Sequence, residues 1–394
     1  MSLRSSKSKR SPTGAGRAHG LFVAALAAVA LLAGGVAART SAAPAATPTP
    51  TARTTPTLAY YYIWFTERSW DRAKTDYPSI GRYSSDEESV MRHQIQQAKQ
   101  AHLDGFIVSW KSTPVLDGRL ATLVRVAAEE KFKLVVIYQG LDFDRNPLPV
   151  ARIERDLDRF IALYGRNDVF HVFGEKPAVV ISGTWRFSQD DVARITTSRR
   201  RQLLLLASEK SVDGIARLAG LVDGDAYYWS SADPLRQNRY QQKLNEMSAA
   251  VHRSGGIWIA PAAAGFDARL IGGHRVIDRR DGGTLRQALD AAVVSSPDAI
   301  GVISWNEFSE NSQIEPSSRY GDRSLRVLAS FFGSELPAAS DAQFRAAGDS
   351  DSSGPQGRSS RGLITLIGLI GVLALATPLL VKRRRRIRKA RTGT

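Results

Sequence analysis

The sequence predicts an α/β protein built as a (β/α)8 TIM barrel, with an N-terminal signal segment and a C-terminal transmembrane helix outside the barrel. Three observations predict it. Short apolar runs alternate with amphipathic stretches through the middle of the chain. The runs are continuous Val, Ile, Leu, Tyr or Trp rather than alternately polar, as parallel strands covered on both faces require. Eight such units in about 250 residues match the size of a closed barrel.

The strands are expected in order as follows. Leu58–Phe65 and Gly105–Trp110 are aromatic and β-branched, Leu134–Gln139 and Ala178–Ser182 are Val and Ile runs, and Gln202–Ala207 is a Leu run. Ala226–Ser230 contains Tyr-Tyr-Trp, Ile257–Pro261 ends on a proline, and Ile300–Trp305 leads into the most polar stretch of the core. Helices are expected between them at Glu87–Ala101, Arg119–Glu130, Ile153–Tyr164, Asp190–Thr197, Val212–Ala219, Leu235–Arg253 and Leu285–Val294, with Leu325–Phe332 after the last strand. An open doubly wound sheet is the rival topology. It usually carries a Gly-rich turn after its first strand, where this chain has Ile63, Trp64, Phe65 and Thr66.

Outside the core, Arg4, Lys7, Lys9, Arg10 and Arg17 precede the apolar run Leu21–Ala38, so residues 1–38 read as a signal peptide, with an uncleaved signal anchor as the alternative. Residues 39–57 are a Pro, Thr and Ala linker, 58–337 the barrel, and 338–361 a low-complexity linker. Residues 362–381 are long and apolar enough to span a bilayer, and 382–394 form a basic tail that belongs on the cytoplasmic side. The expected location is therefore the cell membrane, single-pass, with the barrel outside. Arg outnumbers Lys by 42 to 12, which points to a bacterial, GC-rich source.

The formal charge of +16 suggests nucleic acid until it is located. Leu58–Glu335 holds 36 basic and 35 acidic residues, whereas the two tails hold 18 and 3. A nucleic-acid partner is excluded on that ground, because its binding needs excess positive charge on the folded surface. The chain has no Cys, which removes disulfides and thiolate chemistry. It has no HExxH, His cluster or EF-hand spacing, so neither a metal nor a cofactor is expected.

Catalytic groups of a barrel sit at the C-terminal ends of its strands. Trp64, Trp110, Tyr138, Trp185, Trp229 and Trp305 each fall at or just past such an end. One buried Trp is ordinary core filling, but six at one rim suit the apolar faces of sugar rings. The last strand delivers Trp305, Asn306, Glu307, Phe308, Ser309 and Glu310. Two carboxyls three positions apart on a turn can share one face, and two carboxyls flanking one bond are what glycoside hydrolysis uses. Mutual repulsion would raise one pKa and separate acid from base. The rival explanation is a solvated acidic loop.

These residues resemble glycoside hydrolase family 99, the endo-α-1,2-mannosidase family, and its family-99-like relatives. Tyr61–Phe65 resembles the family's first strand, and Gly81–Ser85 with His93, Gln94, Ala98 and Asp104–Trp110 is similar to its first helix and second strand. Pro261 with Gly265-Phe266-Asp267 resembles the loop after strand seven, and Ser304–Glu310 with Gln313-Ile314-Glu315-Pro316 is similar to the specific W-N-E-W-x-E-G-x-x-I-E-P signature. The resemblance implies a retaining (β/α)8 enzyme acting on α-mannan-like polysaccharide through a 1,2-anhydro sugar. It implies Glu307 as the base that activates the 2-hydroxyl and Glu310 as the acid and base at the leaving oxygen. The residues alone leave a direct glycosyl–enzyme intermediate equally open. Substrate contacts are expected from Tyr62, Trp64, Trp110, Tyr138, Trp229, Asp267, Trp305 and Asn306.

The chain departs from the family at Gln139-Gly140, where Glu-Pro is common, at Asn311, where Gly follows the second Glu, and at Gly283-Thr284-Leu285, which lacks an aromatic. Those changes bear on which sugar is bound. They also motivate a rival function, a non-catalytic glycan-binding or envelope-scaffold protein on the same barrel.

Overall fold

The computed structural model describes residues 55–337, so the expected signal, transmembrane helix and basic tail lie outside the described residues. Among the described residues no helix is long and apolar enough to cross a membrane. Eight parallel strands close into a barrel: β1 (Thr57–Tyr62), β2 (Gly105–Trp110), β3 (Lys133–Gln139), β4 (Ala178–Ser182), β5 (Leu204–Ala207), β6 (Gly224–Ala226), β7 (Ile257–Ala263) and, after a short hairpin of β8 (Phe266–Asp267) with β9 (Val276–Ile277), β10 (Ala299–Ile303). Closure is made where Leu58 of β1 pairs with Gly301 of β10 on one side and Gly105 of β2 on the other. Helices α1 (Glu88–Gln100), α2 (Pro114–Glu129), α3 (Val150–Tyr164), α4 (Gln189–Thr196), α5 (Val212–Leu218), α6 (Tyr240–Arg253), α7 (Gly283–Val294) and α8 (Arg323–Phe331) alternate with the strands.

The strands sort their side chains by alternation into two cores. Leu58, Tyr60, Tyr62, Ile107, Val135, Ile137, Val180, Leu206, Ile259 and Ile303 fill the barrel. Their neighbours Tyr61, Phe106, Val108, Val136, Val179 and Val302 meet the helices. Tyr61 lies flat on Phe106 in that outer core, with ring centres 4.5 Å apart. Gly301 makes room for the inner layer, since a Cβ there would stand 3.0 Å from the Tyr60 ring.

Helix α2 begins at Pro114, five residues before the expected Arg119, with Thr113 as its cap, and two further elements differ from the sequence expectation for local reasons. The sixth strand is Gly224–Ala226, and Tyr227–Ser230 continues as irregular chain at the barrel mouth. Its Gly and Asp read as turn residues, yet Gly224 lies so close to Ile257 that a Cβ would meet the Ile257 carbonyl oxygen at 2.1 Å, and Asp225 is buried to accept the Glu209 N–H at 2.7 Å. Helix α6 begins at Tyr240 and not Leu235, because the Asp233 carboxylate accepts the Leu235 N–H at 3.1 Å and turns the chain before the helix.

Candidate active site

The segment after β10 is a turn, not a helix. The chain leaves the strand at Ser304, and its Oγ accepts the Glu307 N–H at 2.9 Å. The Ser312 N–H closes back on the Glu307 carbonyl at 3.2 Å, and Phe308 anchors the turn edge-on against Trp70 with centroids 5.4 Å apart. The Glu310 carbonyl accepts the Asp267 N–H at 2.7 Å, tying the turn to the hairpin after β7.

Both carboxyls are buried, Glu307 and Glu310 each 1% exposed. Glu307 Oε1 accepts the Ser309 N–H at 3.0 Å. Glu307 Oε2 and both Glu310 oxygens have no protein partner. Buried polar atoms are almost always satisfied, so three orphaned oxygens in one turn mark a place where something else binds. Burial pushes the Glu307 carboxyl above the usual range, and the Ser309 N–H and the Lys74 ammonium pull it part of the way back. Burial and then the Glu307 charge hold Glu310 well above that range, with Arg145 opposing. The two therefore differ in how easily they ionise: Glu307 has a donor and a cation in support, while Glu310 faces a like charge.

Around them stand Tyr62 and Tyr228, whose hydroxyls are 3.0 Å apart. Both phenols are pushed up, by burial first, and both lie in the field of both carboxylates. Trp64 packs on Tyr62 with ring centres 4.4 Å apart and is half-buried at the mouth. A recess lined by Ser182, Trp185, Ser208, Glu209, Lys210 and Tyr228 continues from this point toward the ends of β4 to β6.

Of the side chains expected to touch substrate, Tyr62 and Trp64 stand beside the carboxyl pair, and four do not face it. Trp110 is in phase with Phe106 and Val108, so it faces the helices, donating Nε1–H to Asp117 at 3.0 Å and packing on Phe160. Tyr138 faces outward likewise and donates its hydroxyl to Asp156 at 2.8 Å. Trp229 stacks on Tyr240 of α6, and Trp305 packs on Phe106. Proximity to a strand end does not select the inner face; the two-residue period does.

Asn306 and Asp267 are already engaged within the protein. Asn306 Oδ1 accepts the Tyr62 N–H at 2.9 Å, and its Nδ2 donates to the Tyr62 carbonyl at 3.0 Å and the Tyr83 hydroxyl at 3.2 Å. It fixes the end of β1 and so the position of Tyr62. The Asp267 carboxylate accepts Arg269 Nη2–H at 2.6 Å, and that guanidinium holds it below the usual range.

Sequence reading missed Tyr228, Lys74 and Arg145, which strand phase would have offered only for Tyr228. It also gave no role to the buried chain in which Gln94 Nε2 donates to Glu315 at 2.6 Å and the Tyr83 hydroxyl donates to the same carboxylate at 3.0 Å. The departure at Asn311 has a backbone explanation, φ of 50°, a conformation that Gly adopts freely and Asn tolerates better than other side chains. Gln139 points toward the mouth and donates to Ser109 Oγ at 3.0 Å. Among the described residues, no cluster of three or more His, Asp or Glu side chains could hold a metal ion.

The chain belongs to glycosyl hydrolase family 99, whose family model matches residues 61–322. No curated protein matches its sequence. Among solved structures it is similar to the GH99 endo-alpha-mannosidase from Bacteroides thetaiotaomicron, at 18% identity and a TM-score of 0.61 over 74% of this chain and 98% of that one. The same enzyme in complex with bis-tris-propane gives a TM-score of 0.62, again at 18% identity, over 75% of this chain and 98% of that one. A glycoside hydrolase-like protein gives 0.55 at 15% identity, over 73% and 97% of the two chains. At these identities the neighbours establish a shared barrel fold, and the family match establishes a glycoside hydrolase lineage.

Proposed function

We propose that the chain is a retaining hydrolase of internal α-mannosidic bonds in an α-linked polysaccharide. The observation that carries this reading is the pair of buried carboxyls at the barrel mouth with three of four oxygens unpartnered. Glu307 acts as base, because the Ser309 N–H and Lys74 favour its ionised form. Glu310 acts as acid, because burial and the neighbouring charge keep its proton on.

In the first step Glu307 takes the proton of the sugar 2-hydroxyl, O2 bonds to C1, and the bond from C1 to the leaving oxygen breaks as Glu310 protonates that oxygen. The product is a 1,2-anhydro sugar. In the second step the Glu310 carboxylate takes a proton from water, the water oxygen bonds to C1, and the C1–O2 bond opens as Glu307 returns its proton to O2. Two inversions at C1 retain configuration. Trp64 offers a sugar face at the mouth, and Asn306 acts as a positioning residue through Tyr62.

The test is hydrolysis of α-mannans, with the first-formed anomer read by proton NMR. Retained configuration and a fall of roughly 10²- to 10⁴-fold in Glu307→Gln are expected. An inverted product, or a variant as active as the wild type, overturns the assignment. No turnover of any α-linked polysaccharide by the wild type would favour the glycan-binding alternative. The chain is further proposed to work at the outer face of a cell membrane, held by residues 362–381. Protease added to intact cells should then release the barrel, and full protection of the barrel would refute that placement.

A further inference from the structure

Several arginines of the helical shell are ion-paired: Arg92 with Glu88 and Glu129, Arg199 with Asp158, Arg200 with Asp223 and Arg326 with Asp322. Those around the recess beside the carboxyl pair are not. Arg145 after β3, Arg186 after β4, Lys210 after β5 and Lys243 on the first turn of α6 form no ion pair with any carboxylate among the described residues. Lys210 Nζ sits 3.7 Å from the centre of the Trp185 ring, and the Arg145 guanidinium lies over the same ring at 5.9 Å. Arg186 Nε–H donates to the Arg145 carbonyl at 3.2 Å, and Lys243 donates to the Tyr227 hydroxyl at 2.8 Å. Arg145, Lys210 and Lys243 are half-buried.

Burial makes the charge harder to keep on Arg145, Lys210 and Lys243. Burial depresses the Lys210 ammonium to about 8, with Arg145, Arg186 and Lys243 adding to that and Glu209 opposing. Glu209 is itself engaged by Arg217 at 3.0 Å. Arg145 lies in the field of Glu310, which opposes the effect of burial on its charge, but no carboxylate oxygen of the described residues comes within ion-pair distance of it. Like charges drawn together with no carboxylate in direct ion-pair contact repel one another, and a ligand that supplies an anion relieves that repulsion.

We infer that Lys210 and Arg145 over Trp185, together with Arg186 and Lys243 in the field of Lys210, form a subsite for an anionic substituent, a phosphate or a carboxylate, on the glycan that reaches Glu307 and Glu310. This deepens the hydrolase reading and rests on it for the glycan, but its test requires binding alone. The full chain carrying Glu310→Gln, so that nothing is cleaved, is titrated calorimetrically at low ionic strength with an α-mannooligosaccharide and with its phosphorylated form. A second pair compares a uronic-acid oligosaccharide with its reduced, neutral form.

The charged member of at least one pair should bind roughly tenfold or more tightly, since a hydrogen bond to a charged partner is worth about one factor of ten or two. Which pair shows it identifies the anion. Added Lys210→Gln, alone and with Lys243→Gln, should erase most of that advantage while leaving the neutral affinity unchanged, which also shows that the variants are folded. Equal affinities within both pairs, absence of binding, or an advantage that survives both substitutions overturns the proposal. The hydrolase reading fails on a different result, a wild type that cuts nothing.

Discussion

Three glutamates are buried within nine residues of one another after β10, and their surroundings differ sharply. Glu307 and Glu310 are 1% exposed, Glu315 is 3%. The Glu315 carboxylate is met by the Gln94 amide and the Tyr83 hydroxyl, whereas the Glu310 carboxyl receives no hydrogen bond from the protein. Equal burial thus hides opposite functions. A carboxylate with its donors supplied holds the first helix and the first strand to the last one; a carboxyl without them has been left to meet a ligand. Burial alone costs the same kind of energy in both places, but only at the Glu315 carboxylate is it compensated within the chain.

The largest separation between the two regions should come from Glu310→Gln. Hydrolysis should fall by roughly 10²- to 10⁴-fold, as for loss of a general acid. Stability should move the other way. The folded-state pKa of Glu310 lies above its unfolded value, so the native protein binds the extra proton and loses stability as pH rises from the ordinary carboxylate range toward that raised value. Gln carries no such penalty. Chemical denaturation of both proteins across pH should show the variant gaining on the wild type as pH rises, and no change in the difference with pH would place the Glu310 carboxyl in an environment other than the one described.

Glu315→Ala should reverse the pattern. It strands the Gln94 amide and the Tyr83 hydroxyl, and Tyr61, which donates to Gln94, loses a fixed partner. A cost of about 2–5 kcal/mol is expected from unsatisfied buried groups and the cavity. Measured below its lowered melting temperature, the variant should keep far more activity than Glu310→Gln. A variant as stable as the wild type would mean that the Glu315 network is not what binds β1 to the 313–316 segment.

Strand order, helix order and barrel closure were legible because each depends on a local pattern: Val-Val-Ile at 135–137 and Ala-Val-Val-Ile at 178–181 can be little other than covered strands. The acidic pair was legible as a motif. What its oxygens lack was not, since satisfaction is a property of the atoms that arrive from elsewhere in the chain, Ser309 for one oxygen and nothing for three. The aromatic wall was misjudged for a related reason. Trp110, Tyr138 and Trp229 stand at strand ends, but one residue of phase sends them to Asp117, Phe160, Asp156 and Tyr240 on the helices. Inner Tyr62 and Tyr228, separated by 166 positions, are brought together only by the closed barrel.

The smallest effect tests the hinge between the two regions. Asn311 joins the turn that carries Glu310 to the segment that carries Glu315, with φ at 50° and its carbonyl accepting Arg279 Nη2–H at 2.9 Å. A side chain with a Cβ and no local hydrogen bonding is penalised in that conformation by about 1–2 kcal/mol, so Asn311→Ala should lose roughly that much stability. Asn311→Gly removes the strain but also the Asn311 Nδ2 bond to the Tyr320 hydroxyl at 3.2 Å, and adds freedom to the unfolded chain. It should cost less than the Ala change and leave turnover near that of the wild type. If Ala is tolerated as well as Gly in urea titrations, the left-handed residue does not constrain the turn, and Glu310 must be held by the Asp267 N–H and the packing of Phe308 instead.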